Sequence, residues 1–195
     1  MREIQADIPI MIHLDNGGFN EMYVEWFDEF TKRAEPFDII GLSYYPFWHG
    51  TMEQLEFNMR DMARRYGKKL VVAETSMGFT MEDYRDREGK PLDQLKGMAT
   101  KPVLVEKLNY PMTKEGQASF MKDLMELIAD IPGGEGFYYW EPSWIPVLGC
   151  GWATEAALAY TGEKGPGGNE WANQALFDYD GNALPALAVI RDFNR

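Results

Sequence analysis

Short apolar runs alternate with amphipathic segments along most of the chain. Four of these runs have the composition of buried β-strands, and they occupy residues 8–14, 37–44, 69–74 and 136–140. Elsewhere, apolar residues recur every three or four positions, which predicts amphipathic helices. The predicted helices lie at residues 19–30, from the capping pair Thr51 and Gln54 to Gly67, after Thr113, and from Leu184 onward.

This order of elements predicts an α/β fold. Strands that alternate with helices pair in parallel through right-handed crossovers, and four βα units make half of a (β/α)8 barrel. The chain lacks both Gly-x-Gly-x-x-Gly after the first strand and a P-loop, which argues against nucleotide binding. Two long segments, residues 75–112 and 141–173, follow the third and fourth strands, and loops of this length are usually functional or mobile.

Composition narrows the classes of partner. The 195 residues suit one domain, and 45% are hydrophobic, as in ordinary globular proteins. Lys and Arg total 19 against 31 Asp and Glu, and the net charge of -12 opposes binding to nucleic acid or to an anionic membrane. No run approaches the ~18 apolar residues of a membrane span, and residues 1–7 lack the apolar region of a signal peptide. The single cysteine, Cys150, excludes an internal disulfide.

Polar side chains gather where each predicted strand ends. They are His13, Asp15 and Asn16, then Ser43 and His49, then Glu74, and finally Glu141. Because the C-terminal ends of parallel strands lie on one face of a barrel, these groups are predicted to meet there. We favour a functional role for Glu74 over the alternative of a strand-end carboxylate that pairs with a lysine or caps a helix. For Glu141, whose backbone Pro142 should hold extended, the structural role is favoured.

Aromatic residues also stand at strand ends or in loops, where burial is not automatic. We interpret six of them as flat surfaces for sugar rings rather than as plain packing; they are Tyr44, Tyr45, Phe47, Trp48, Trp140 and Trp144. Phe19 and Trp26 have the spacing of core residues on a helix.

The histidines and the other acidic residues are weaker candidates for metal binding or catalysis. The two histidines are too few for a histidine-based metal centre and also fit as structural residues. Asp83, Asp86 and Glu88 lack the regular alternation of an EF-hand loop, and we interpret them as a solvated charged loop. Glu170 lies deep in a loop, so we do not assign it a catalytic role.

At these residues the chain resembles glycoside hydrolase family 53, the endo-β-1,4-galactanases, also called arabinogalactan endo-β-1,4-galactosidases. The resemblance extends over nearly the whole chain. Its motifs are HLDNG at 13–17, DIIGLSYYPFWHG at 38–50, VVAET at 71–75, YYWEPSWIP at 138–146, GWA at 151–153 and WANQALFD at 171–178.

The resemblance implies a retaining (β/α)8 TIM-barrel hydrolase that acts on the β-1,4-galactan side chains of pectin. Residues 1–195 would form the C-terminal half-barrel of its catalytic domain, with the fifth to eighth strands and their helices. Glu74 would be the nucleophile, with a tyrosine of the Tyr44 region beside it, and Trp140 would form the floor of the subsite at the cleaved bond. A cis peptide bond is common after that tryptophan, so one is expected here.

Other residues would bind the neighbouring galactose units of the substrate. By the same resemblance they are Asp15, Asn16, Ser43, Tyr44, Tyr45, Phe47, Trp48 and Trp144. No cofactor is expected. The calcium-binding loop of some members is a run rich in aspartate and histidine, and residues 80–91 do not show one, so no metal ligand is assigned.

The chain departs from the family in one respect that matters for activity. The family's acid/base glutamate follows an asparagine at the end of the fourth strand, which would precede residue 1. Glu170 follows Asn169 but in the wrong element. We therefore expect a fragment that needs a missing N-terminal half-barrel as its partner and hydrolyses galactan very poorly alone. By resemblance, the full-length enzyme would be secreted or held in the cell envelope.

The sequence also allows two other functions. One is a carbohydrate-binding half-barrel without catalysis. The other is an unrelated α/β enzyme that uses Glu74 as a general base on a small metabolite.

Overall fold

A computed structural model of the chain describes residues 4–5, 7–33, 36–82, 84, 102–147, 154–161 and 171–193. The backbone clusters into two compact units. The first comprises Met1–Thr75, Asp123–Tyr139 and Arg195, and the second comprises Ser76–Lys122 and Trp140–Asn194.

The first unit is built on a four-stranded sheet in the order β1-β2-β3-β4. The strands are β1 (Met11–Leu14), β2 (Ile39–Tyr44), β3 (Lys69–Thr75) and β4 (Gly134–Tyr139). Every neighbouring pair is parallel, which confirms the predicted α/β arrangement. β1 begins later than its apolar run because the Asp38 carboxylate accepts the Ile10 backbone N–H at 2.8 Å, just before the ladder starts.

Helices connect the strands and extend beyond them. They are α1 (Asn20–Phe30), α2 (Met52–Tyr66), α3 (Pro102–Val105), α4 (Lys114–Asp130), α5 (Glu155–Thr161) and α6 (Pro185–Asp192), with a 3-10 turn at Ala172–Gln174. α3 and α5 lie in the two segments for which the sequence predicted no regular element. Both are short, and short helices leave too few turns to establish an apolar period.

The predicted ends of α2 and α4 are confirmed. The Thr51 hydroxyl accepts the Gln54 backbone N–H at 3.3 Å, and the Gln54 side chain accepts the Thr51 N–H at 2.8 Å, which completes the capping box. Gly67 ends α2 with a φ of 61°. At the start of α4, the Thr113 hydroxyl accepts the Gly116 N–H at 3.0 Å.

One face of the sheet is covered. The strand residues on this face have no exposed surface, and they are Ile40, Leu42, Leu70 and Val72. Tyr23 and Phe27 are the buried aromatic residues of α1, whereas Trp26 is 38% exposed and stacks on Phe30 instead. The prediction that Trp26 belongs to the core is therefore wrong within the described structure. Each fully buried aliphatic side chain contributes about 1.5–3 kcal/mol.

The second unit has its own small core. Phe79, Ala172, Tyr179 and Leu184 form one cluster of buried residues in it. Among the described helices, none has the length and hydropathy that a membrane span requires.

Candidate active site

Glu74 lies at a β-bulge near the C-terminal end of β3. Leu42 of β2 pairs with Val72, but the next residue, Ser43, pairs with Glu74, so Ala73 is an extra residue in β3. The register between β3 and β4 also shifts between Val72 and Thr75. A bulge of this kind re-aims the side chains that follow it.

The bulge decides which face of the sheet Glu74 occupies. Successive strand residues alternate between faces, and paired residues of neighbouring strands share a face. In a regular strand, Glu74 would share the covered face with Leu70 and Val72, which are both 0% exposed. With the extra residue, Glu74 shares the opposite, open face with Ser43, and Thr75 takes the covered face and is 0% exposed.

Tyr45 is the hydrogen-bond donor to the Glu74 carboxylate. Its hydroxyl donates to Glu74 Oε2 at 3.1 Å. Burial raises the pKa of Tyr45, and the negative charge of Glu74 raises it further. The hydroxyl therefore stays protonated and keeps donating. Among the described residues, this bond to Oε2 is the side-chain hydrogen bond of the Glu74 carboxylate.

His13 and Ser43 form a second polar pair on the open face. His13 Nε2 and Ser43 Oγ are 2.8 Å apart. Ser43 is 3% exposed, whereas His13 is exposed at the end of β1. The Ser43 hydroxyl is thus engaged by the imidazole, and His13 is the more accessible member of the pair.

The loop after β1 brings Asp15 and Asn16 to the same end of the sheet. Asp15 Oδ1 accepts the Asn16 backbone N–H at 2.8 Å. Asn16 has a φ of 60°, a left-handed conformation that asparagine adopts more readily than most residues. The Gly17 N–H donates to the Ser43 carbonyl at 2.8 Å, and a Cβ on Gly17 would lie 2.7 Å from that oxygen. This close backbone contact joins the loop to β2.

The aromatic residues after β2 divide into buried and accessible ones. Tyr44 is 1% exposed and its hydroxyl donates to the Gly50 carbonyl at 3.2 Å, while Phe47 is 2% exposed. Trp48 is half-buried, and its ring lies edge-on to Tyr45 with the centroids 5.6 Å apart. The alternation along β2 places Tyr44 on the covered face, so Tyr45 is the tyrosine that the structure brings to Glu74.

Trp140 and Trp144 belong to the second unit. Trp140 directly follows β4 and is 36% exposed. Trp144 is half-buried and packs against the small core of that unit. Their contacts with sugar rings stay predictions.

Two predictions about the segment after Trp140 are wrong. The described residues contain no cis peptide bond, and Glu141 is not extended, because its φ is 52°. A tight turn explains the left-handed conformation. The Trp144 N–H donates back to the Glu141 carbonyl at 3.3 Å, and this return of the chain outweighs the usual preference of a residue before proline.

His49 stands among the polar groups at the strand ends, but the sequence did not assign it to the site. It is 5% exposed and lies 3.1 Å from Asp15, measured from Nε2 to Oδ1. A signal was present in its spacing from Tyr45, since four residues close one tight turn. The His49 N–H donates to the Tyr45 carbonyl at 2.9 Å.

The structure does not describe the other acidic residues that were considered as metal ligands or catalytic groups. Asp83, Asp86, Glu88 and Glu170 lie outside the described residues. In the part of the chain that is described, no group of three or more His, Cys, Asp or Glu side chains could hold a metal ion.

A parallel sheet with a carboxylate and a tyrosine at the C-terminal ends of neighbouring strands defines the class, an α/β protein, and the arrangement is typical of the barrel type. The chain belongs to glycosyl hydrolase family 53, whose model matches residues 1–190.

Relatives with similar sequences agree with this assignment. An endo-beta-1,4-galactanase of Bacillus subtilis (strain 168) is 36% identical over 210 residues, covering 98% of this chain and 47% of that protein. An uncharacterized protein in the bgaB 5' region of Niallia circulans is 37% identical over 193 residues, with the same coverages of 98% and 47%. The chain thus spans about half the length of these relatives.

Solved structures confirm the fold class. The GH53 catalytic domain of Ignisphaera aggregans superposes with a TM-score of 0.78 at 36% identity, over 97% of this chain and 48% of that one. Xylanase 10C of Cellvibrio japonicus has a TM-score of 0.57 at 15% identity, which shows a likeness of fold alone. The predicted barrel family, with four parallel strands in this chain, is therefore confirmed.

Proposed function

We propose that this chain supplies the nucleophile half of a retaining endo-β-1,4-galactanase that cleaves the β-1,4-galactan of pectic arabinogalactan. Residues 1–195 would be the C-terminal half of the catalytic barrel. Names of relatives support the substrate class, since both bacterial and fungal relatives are called galactanases.

The observation that carries the proposal is the placement of Glu74. An extra residue in β3 turns its carboxylate to the open face, and the Tyr45 hydroxyl holds one of its oxygens at 3.1 Å. A nucleophile needs one fixed oxygen and one free oxygen that faces the substrate.

In the reaction, Glu74 Oε1 attacks the anomeric carbon while the bond to the leaving sugar oxygen breaks. That oxygen takes a proton from a general acid, and a galactosyl ester forms on Glu74. Water then attacks the same carbon, loses its proton to the same group acting as base, and releases Glu74. Tyr45 keeps its proton throughout and steadies the orientation of the carboxylate.

The general acid/base is not assigned to any residue of this chain. Retaining enzymes place it ~5–5.5 Å from the nucleophile. By family resemblance it would follow the fourth strand of the barrel, outside these 195 residues. The chain alone should therefore hydrolyse galactan very poorly, and its partner would be the complementary half-barrel.

Several exposed or half-buried groups would bind the substrate. Asp15 and Asn16 offer a carboxylate and an amide to sugar hydroxyls, and Trp48 offers a half-buried ring. Trp140 and Trp144 are proposed as further sugar-binding surfaces. Tyr44, Phe47 and Ser43 are more than nine-tenths buried, so we give them supporting positions beneath these groups.

The substrate also bears on location and cofactors. A galactan polymer cannot cross a membrane, so the complete enzyme would act in secreted or cell-envelope form. The mechanism uses carboxyl groups and water and calls for no cofactor.

Covalent trapping tests the nucleophile directly. An aryl 2-deoxy-2-fluoro-β-galactobioside with a dinitrophenolate leaving group needs no proton donor, so labelling reports on the nucleophile and not on the acid. The enzyme for this test is a hybrid in which this chain replaces the aligned 47% of the Bacillus subtilis galactanase. Mass spectrometry should place the fluorogalactosyl label on Glu74.

Variants of the hybrid complete the test. Glu74→Gln should abolish labelling and lower the rate of galactan hydrolysis by ~10³-fold or more. Glu21→Gln, which removes an exposed carboxylate of α1, serves as the matched control and should change neither. Binding of galactan without hydrolysis or labelling would favour a non-catalytic sugar-binding domain, and activity unaffected by Glu74→Gln would refute the assignment.

A further inference from the structure

His49 connects three parts of the proposed site. Its Nε2 lies 3.1 Å from Asp15 Oδ1 in the loop after β1. Its Nδ1 lies 3.2 Å from the Tyr45 backbone nitrogen and 3.0 Å from the Ser43 carbonyl oxygen. Its ring also packs edge-on to the Tyr45 ring, with centroids 5.5 Å apart.

These contacts select one protonation state of the imidazole. With the proton on Nε2, the ring donates to Asp15 and accepts the Tyr45 N–H at Nδ1. With the proton on Nδ1 alone, the Nε2 lone pair would face the Asp15 carboxylate, and the Tyr45 N–H would face another N–H. The ring would gain one hydrogen bond to the Ser43 carbonyl but would lose the two to Asp15 and Tyr45 and put a repulsive contact in place of each.

The Ser43 carbonyl does not overturn this choice. It already accepts the Gly17 N–H at 2.8 Å, so it has a donor without His49. A doubly protonated ring could donate to both Ser43 and Asp15, but it would leave the Tyr45 N–H without its acceptor at Nδ1. It would also put a charge on a side chain that is 5% exposed.

We propose that His49, as the neutral Nε2–H tautomer, is a positioning residue that fixes Tyr45 so that the Tyr45 hydroxyl holds the Glu74 carboxylate. The chain of contacts runs from Asp15 through His49 to the Tyr45 backbone, and from the Tyr45 hydroxyl to Glu74. The kinetic part of this inference rests on the proposed function of Glu74, whereas the tautomer does not.

The electrostatic surroundings agree with a neutral ring. Burial lowers the pKa of His49, and the opposing effects of Asp15, the Ser43 carbonyl and Glu74 do not outweigh it. These groups come from β1 and its loop, from β2 and from β3, the elements that face the ring.

Nuclear magnetic resonance tests the tautomer on the 195-residue chain itself. Long-range 15N–1H correlation spectra distinguish a protonated from an unprotonated ring nitrogen, and a His13→Gln variant assigns the two histidines. At neutral pH we expect His49 to show an unprotonated Nδ1 and a protonated Nε2. A protonated Nδ1 would overturn the inference.

Three substitutions in the galactanase hybrid separate positioning from packing. Asparagine can place its amide oxygen near the Nδ1 position and still accept the Tyr45 N–H. Glutamine reaches the Nε2 position and keeps only the contact with Asp15. Phenylalanine keeps the ring volume and the packing on Tyr45 but has no hydrogen-bonding atom.

We expect His49→Phe and His49→Gln to lower kcat about tenfold or more, with smaller changes in KM, while His49→Asn stays within about threefold. Melting temperatures serve as the structural readout, and we expect all three variants to melt at a lower temperature than the wild type. A kcat that follows the melting temperature instead of the Nδ1 acceptor would show a merely structural role and overturn the proposal.

The two proposals fail separately. If the wild-type hybrid is not labelled on Glu74, the proposed function is wrong, and the spectra still decide the tautomer. If Glu74 is labelled equally fast in wild type and His49→Phe, the positioning role is wrong and the nucleophile stands.

Discussion

At the scale of single residues, one hydroxyl and one carboxylate define the proposed site. Tyr45 donates to Glu74 Oε2, and burial together with the charge of Glu74 keeps the pKa of Tyr45 raised. A hydrogen bond to a charged group contributes about 1.5–3 kcal/mol. The bond therefore fixes the direction in which the other oxygen of Glu74 points.

Removing this hydroxyl gives the first prediction. Tyr45→Phe in the galactanase hybrid should lower kcat by ~10- to 100-fold, because the carboxylate loses its fixed orientation. Tyr44→Phe is the matched control, since the Tyr44 hydroxyl donates to the Gly50 carbonyl instead. Its effect should appear in stability and not in kcat. Equal losses of kcat in both variants would contradict the assignment.

The protonation of His49 gives a second prediction, which concerns stability. Its pKa is lowered from 6.5 in the folded chain, so the unfolded chain binds the proton first as the pH falls. The unfolded state gains stability in that window, and the free energy of unfolding should therefore decrease as the pH drops through ~6.5.

Urea unfolding of the chain at about pH 7.5 and about pH 5.5 measures this effect. His49→Asn has no imidazole to protonate, so it should lose less stability between the two conditions than the wild type. An identical loss in both proteins would show that other groups cause the pH dependence.

Sequence alone proposed most of these residues as candidates but not their partners. Glu74 was predictable because it ends an apolar strand, and Asp15, Asn16 and Ser43 because they lie at strand ends. The choice between Tyr44 and Tyr45 was not predictable, since both have the same chemistry and only the strand alternation separates them. His49 was named among the strand-end groups but given no role, because a histidine without a known partner fits equally well as a structural residue.

At the scale of elements, the bulge in β3 matters more than any helix. A run of apolar residues predicts a buried strand but carries no alternation, so the extra residue at Ala73 leaves no trace in the hydrophobic pattern. The strand was predicted from sequence, whereas the face on which Glu74 emerges required the register. Helix ends were easier, because the capping box at Thr51 and the glycine at 67 are local signals.

Deleting Ala73 tests the bulge. In the hybrid, the deletion should restore regular alternation, turn Glu74 toward the covered face and abolish labelling by the fluorogalactoside. An uncompensated buried carboxylate should also lower the free energy of unfolding by ~3 kcal/mol or more. Ala73→Gly keeps the residue count and should retain labelling, so loss of labelling in both variants would point to the side chain instead of the register.

At the scale of the whole molecule, the edges of the sheet in the described part of the chain are the feature that matters. Within the described residues, β1 and β4 each pair with one neighbour, while β2 and β3 pair on both sides. Tyr138 on β4 is 65% exposed, and apolar residues of β1 are only partly covered. Exposed edges and apolar faces favour association with another chain.

Hydrogen exchange should distinguish the edge strands β1 and β4 from the central strands β2 and β3. In the isolated chain we expect the backbone amides of β2 and β3 to exchange most slowly, and those of β1 and β4 faster, because an edge strand opens without breaking the central ladder. In the galactanase hybrid, β1 and β4 should gain protection. Amides of β1 that are already as protected in the isolated chain as those of β3 would contradict this picture.

The bulge in β3 also affects how other genomes are searched for working enzymes of this type. A homologue that keeps the glutamate but lacks one codon between Lys69 and Glu74 would be a pseudoenzyme. Side chains alternate between the two faces of a sheet, so the shorter strand would turn the carboxylate toward the covered face. Homologues should therefore be compared by the number of residues in that strand as well as by the presence of the glutamate. If Glu74 is the nucleophile, as proposed, a one-codon gap at this point is expected to remove it from the substrate even where the surrounding motif is intact.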